Sequence, residues 1–171
     1  MEFVSRQLEI AVRYVNLETA LASAVYDPSL CERELAWADQ LYSSKLRIDR
    51  YYPRHLHSKM YFLLREHRLE EIAPILDELN NSRSLGYDKI RTQYYLALYQ
   101  YAIGHTSEGL NTAQALLSEL KEQNSLLIEK AECLALIDTL ENQDHLSEVD
   151  DELCPWYHHT ASLIKQIVGK Q

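Results

Sequence analysis

Turn-forming and cross-linking residues are scarce in this chain: its 171 residues include four glycines, four prolines and three cysteines. So few turn residues exclude a strand-rich sandwich or barrel, which needs a turn every ten residues or so. Cys31, Cys133 and Cys154 are odd in number, far apart and without a CxxC pair, so neither a disulfide framework nor a cysteine zinc site is indicated. No run of 18 apolar residues is present, and residues 1–15 lack the apolar core of a secretory signal, so no membrane segment and a cytoplasmic location are expected.

Signatures of chemistry are missing as well. Gly104 and Gly109 have the mutual spacing of a phosphate-binding loop, but Leu110 and Asn111 follow where Lys and Ser or Thr are required. Neither HExxH nor GxSxG occurs. His55 and His57 point about 200° apart on a helix and cannot easily share an ion. Cys154 and His158, four apart, supply at most half of a zinc site, and read more simply as a small buried residue and a surface imidazole. The expectation is therefore no catalytic residue, no metal, no cofactor and no enzymatic activity.

Helix formers fill the space. Leu supplies 28 residues and Ala 14, and apolar residues recur at three- and four-residue steps almost throughout. Breaks at Asp27-Pro28, Tyr52-Pro53, His67-Arg68, Asn80 to Gly86, Gly104-His105, Asn124-Ser125, Asn142 to Asp144 and Cys154-Pro155 divide the chain into nine predicted helices. They span 3–25, 28–44, 53–66, 69–81, 87–103, 106–123, 125–141, 145–153 and 155–168. The fold expected is all-α, in a single domain over 1–171.

The helix 3–25 carries two apolar stripes, one of Val4, Leu8, Ala11, Val15, Ala22 and Val25, the other of Ile10, Tyr14, Leu17, Leu21 and Ala24. One can bury against the next helix and leave the other for a partner, including a second copy of the chain in a homodimer. At the far end, 155–168 places Trp156, Leu163, Ile164 and Ile167 as a lid over the preceding pair.

Three of the breaks, at His67, Gly104 and Asn142, lie 37 and 38 residues apart, the interval of a repeated helix pair. The best copy runs from Gln93 through Leu96-Ala97, Gly104 and Gly109 to Ala113, Leu116 and Leu120. With small Ala97 seven residues before the inter-helix glycine and small Gly109 five after it, this copy resembles a tetratricopeptide (TPR) repeat. Residues 53–153 carry the resemblance, with Met60, Ile72 and Leu79 standing in the earlier copy where Ala97, Gly109 and Leu116 stand in the better one. Degenerate repeats of this kind are similar to those in the peptide-sensing domains of bacterial quorum-sensing regulators. The resemblance implies a right-handed α-solenoid of antiparallel helix pairs, with 1–25 and 155–168 as caps; the rival is an irregular helical bundle.

It also implies a concave groove lined by the first helix of each pair. The positions facing that groove are Arg54, His57, Tyr61 and Arg65 in one copy and Arg91, Tyr94, Leu98 and Tyr101 in the next, with Glu129, Glu132 and Leu136 following. Arginine and tyrosine hold carboxylates, peptide carbonyls and apolar side chains, so a peptide or protein client is the expected ligand. The competing reading makes Tyr94, Leu98 and Tyr101 core.

Charge is uneven: net −9 overall, but +5 from Lys45 to Arg68, leaving −14 for the rest. From Asp138 to Glu152 there are seven acids and no Lys or Arg. This polarity would orient a complementary partner, or equally be a solvated face. Non-catalytic peptide or protein binding, as a regulatory sensor or adaptor, is the first expectation. A dedicated chaperone or inhibitory partner of one client is an alternative, and a nucleic-acid-binding regulator using 45–68 is another, disfavoured by the overall acidity.

Overall fold

Asp27 opens the first sharply defined helix boundary: its carboxylate accepts from the backbone N–H groups of Ser29 and Leu30 at 3.0 and 3.2 Å, and Pro28 occupies a first-turn position that needs no donor. Boundaries of this kind are seen in a computed structural model that describes residues 2–22, 25–43, 51–81, 86–123, 126–143, 146, 149 and 151–168, without the side chains of 2–7, 22 and 168. Among the described residues there are eight α-helices and no strand. They are α1 (Glu2–Ala22), α2 (Pro28–Tyr42), α3 (Tyr52–Arg65), α4 (Ile72–Asn81), α5 (Tyr87–Ala102), α6 (Thr106–Lys121), α7 (Leu127–Glu141) and α8 (Cys154–Val168).

Two expected helices differ. The 69–81 segment begins with a 3-10 turn, Leu69–Glu71. An α-helix does not run through 145–153, where Val149 is a bend and Asp151–Leu153 a 3-10 turn. Pro155 has no N–H to extend a preceding helix across Cys154.

By contact the chain divides into two compact units, Met1–Leu63 and Leu64–Gln171. In the first, α1 packs on α2 around Ile10, Tyr14, Ala38, Leu41 and Tyr42, with Trp37, Tyr51 and Tyr52 half-buried against them. The Tyr14 hydroxyl donates to the Tyr51 carbonyl at 3.2 Å and the two rings stack at 5.8 Å. Of the two α1 stripes, Ile10, Tyr14, Leu17 and Leu21 face inward, whereas Leu8 and Val15 are exposed.

In the second unit α5 packs on α6, α6 on α7 and α7 on α8, and α8 also reaches α5. The close approach expected from the small residues at 97 and 109 is present: a Cβ on Gly109 would sit 2.7 Å from the Ala97 carbonyl oxygen and 3.1 Å from the Tyr101 nitrogen. Gly104, at φ 87°, makes the intervening turn. Helix α7 is buried on all sides from Cys133 to Asp138, while Leu127 and Ile128 of its first turn are exposed. On α8 the inward line is Tyr157, Thr160, Ile164 and Ile167. The expected lid residue Trp156 is instead 48% exposed. It lies about 80° from Ile164 around the helix, where Tyr157 lies about 20° away.

Candidate functional site

The residues expected to line one groove fall in different units and surroundings. Arg54, His57 and Tyr61 belong to the first unit. The Arg54 Nε donates to Glu18 at 2.9 Å, His57 is buried and Tyr61 is half-buried. Arg65, Arg91, Tyr94, Leu98 and Tyr101 belong to the second. Arg65 is buried, its Nη2 donating to the Gln166 amide oxygen at 3.2 Å. Tyr94 and Leu98 are buried and Tyr101 is half-buried.

Arg91 has the most developed surroundings of the set. It is ion-paired to Glu132 of α7, its Nη2 donates to the Tyr95 hydroxyl at 3.3 Å, and its guanidinium lies 5.1 and 5.4 Å from the Tyr94 and Tyr95 ring centroids. Burial works against the charge, but Tyr95 and Glu132 outweigh it and hold the guanidinium pKa well above its ordinary value. Arg91 and Glu132, which the repeat pattern put in consecutive copies along the groove, are thus each other's partners. Their separation of 41 positions gave no local signal of it.

A second polar cluster, unforeseen from sequence, joins α2 to α3. The His55 Nε2 lies 2.8 Å from Asp39 Oδ1, and the Lys59 ammonium lies 2.6 Å from Oδ2. Burial alone would raise the Asp39 pKa, yet the hydrogen bonds from His55 and Lys59 prevail and hold it below the usual carboxylate value. An ionised carboxylate only accepts, so the His55 Nε2 carries a proton. The ring is fully buried and stacks on Tyr42 at 5.4 Å. A third cluster lies in the second unit, where the Tyr157 hydroxyl donates to buried Asp138.

The basic stretch is internally committed where it is described: Arg54 to Glu18, Lys59 to Asp39, Arg68 to Glu71. Lys45, Arg47 and Arg50 lie outside the described residues, as do Asp144, Glu148 and Asp150 of the acidic stretch. Cys154 is half-buried and His158 and His159 are exposed. No group of three metal-ligating side chains occurs among the described residues.

One open cleft of about 570 Å³ lies on the first unit, lined by Leu8, Glu9, Val12, Arg13, Asn16 and Glu34. Arg13 bridges its floor, 3.0 Å from Glu34, 3.4 Å from Glu9 and 4.2 Å from the Trp37 ring centroid. Among the described residues no helix is long and apolar enough to cross a membrane. Comparison with protein-family models, with curated proteins and with solved structures gave no match to this chain.

Proposed function

We propose that this chain is a non-catalytic recognition module built of TPR-like helix pairs, and that its second unit binds a peptide or protein segment through the face of α5 that carries Arg91. The observation that carries this reading is the approach of α5 and α6 at Gly109, where the repeat pattern calls for a small residue. The three-residue connection between the two helices favours an antiparallel pair. Support for Arg91 as the anchor comes from its setting: a guanidinium over two tyrosine rings, already holding one carboxylate. A ligand carboxylate would take the place of Glu132 and keep the aromatic contacts.

Peptides and proteins retained by the full chain from a nuclease-treated lysate, identified by mass spectrometry, supply the ligand. A short peptide supports a sensor, a single large client a chaperone. Its affinity should rise about tenfold in Glu132→Gln, which frees Arg91, and fall by at least about tenfold in Arg91→Gln. Equal affinity in both variants overturns the assignment. The nucleic-acid alternative rests on the 45–68 stretch, of which Lys45, Arg47 and Arg50 lie outside the described residues while Arg54, Lys59 and Arg68 hold acidic partners.

A further inference from the structure

Leu8, Val12 and Val15 are 65%, 51% and 61% exposed, and follow one another at steps of four and three along α1. Those steps keep all three within about 60° of arc. Single exposed apolar residues are ordinary, but a contiguous line of them beside a cleft marks an interaction surface. The opposite face of the same helix is already covered by its own unit, through Ile10, Tyr14, Leu17 and Leu21.

We propose that this outer stripe of α1 is the contact of a homodimer, formed by two α1 helices packed antiparallel about a two-fold axis at Val12. Two features of the rim favour a second copy over a different protein. The first is charge. The chain carries −9, so two copies repel except where the facing surface is neutral. Here it is neutral: Arg13 pairs with Glu9 and Glu34, and Arg33 lies 3.6 Å from Glu34. A strongly acidic or basic partner would find nothing unbalanced to meet.

The second is self-complementarity. An antiparallel two-fold at Val12 sets Val12 against its own copy and Leu8 beside Val15 of the other chain. Glu9 and Asn16 lie on the same flank of the stripe, and the axis brings each beside the other. The Glu9 carboxylate then meets an amide N–H rather than a second carboxylate. Helix α1 has 21 residues, about 31 Å of length, so the contact is small for a stable dimer and the association is weak and concentration-dependent. The inference is independent of the peptide-binding reading, which concerns the other unit.

Sedimentation equilibrium of the full chain, from about 1 µM to about 500 µM, tests it. The average mass should rise with concentration from 19.9 kDa toward twice that value. Val12→Glu places two carboxylates against each other at the axis, and should weaken association at least about 100-fold without changing the helical circular dichroism signal. Val12→Lys should do the same alone, and an equimolar mixture of the two variants should restore a one-to-one heterodimer. A wild type that stays monomeric throughout overturns the proposal and leaves the stripe to another protein. So does a Val12→Glu chain that associates like wild type, or a mixture that stays monomeric.

Discussion

Helices α1 and α7 are both rich in apolar residues, yet one is sided and the other is not. Along α1, Ile10, Tyr14, Leu17 and Leu21 are covered while Leu8, Val12 and Val15 face out. Along the middle of α7 there is no open side: Cys133, Leu134, Ala135, Leu136, Ile137 and Asp138 are consecutive and all buried, although Leu127 and Ile128 of its first turn are exposed. Over that enclosed stretch no apolar surface is left for recognition, whereas a sided helix has a face to offer. Even the polar member of the enclosed run is used internally, since Asp138 accepts from Tyr157.

The largest effect that could break this contrast is at Leu136, which is fully buried. Leu136→Ala should cost about 2–5 kcal/mol in urea unfolding, because the removed methyl groups leave a cavity that close-packed neighbours cannot fill. A cost below about 1 kcal/mol would mean that α7 is loosely held and the contrast with α1 false. Next comes Gly109→Ala. The added methyl meets backbone atoms of α5, which cannot turn aside as a side chain can; about 1–3 kcal/mol of overpacking is partly offset by up to about 1 kcal/mol of helix propensity. Thermal melts should show a net loss, and a gain would mean that the α5–α6 spacing relaxes freely.

Smaller still is Asp39→Asn in the first unit. The Asp39 side chain is 45% exposed, so its pairing with Lys59 and His55 is screened, and the substitution should cost less than about 1 kcal/mol at neutral pH. Because its folded pKa lies below the ordinary value of 3.8, the contribution is fully present above 3.8 and is lost as pH falls through the lower folded pKa. Wild type and variant should therefore converge only in that acid range, and a carbon-detected titration of Asp39 should have its midpoint below 3.8. Leu8→Ala, on the open stripe, should change monomer stability by no more than about 0.5 kcal/mol.

Local chemistry was legible in the sequence. The Asp27-Pro28 start, the Gly104 turn and the small residues at 97 and 109 each act through the backbone within a turn or two, so their spacing is enough to place them. On α5, Ile90, Thr92, Tyr94, Tyr95, Ala97, Leu98 and Ala102 are buried, whereas Gln93, Leu96 and Gln100 are half-buried along one side. The pairs that close the polar clusters were not legible. Asp39 with His55, Arg91 with Glu132 and Asp138 with Tyr157 each join different helices, and no periodicity within one helix specifies its neighbour's facing charge. The expectation that Trp156 packs inward failed for a related reason: adjacent positions differ by about 100° of rotation, and only the packed partner decides whether Trp156 or Tyr157 turns inward.

The buried thiols give the molecule a built-in clock for opening. Burial pushes the Cys133 thiol up to about 12, and it donates to the Ala113 carbonyl at 3.2 Å, so at neutral pH it presents no thiolate to an alkylating reagent while folded. Cys31 is fully enclosed in the first unit, Cys133 in the second. Pulsed alkylation read by mass spectrometry would therefore time the opening of each unit in one sample, and equal rates at the two sites would identify a single cooperative unfolding event.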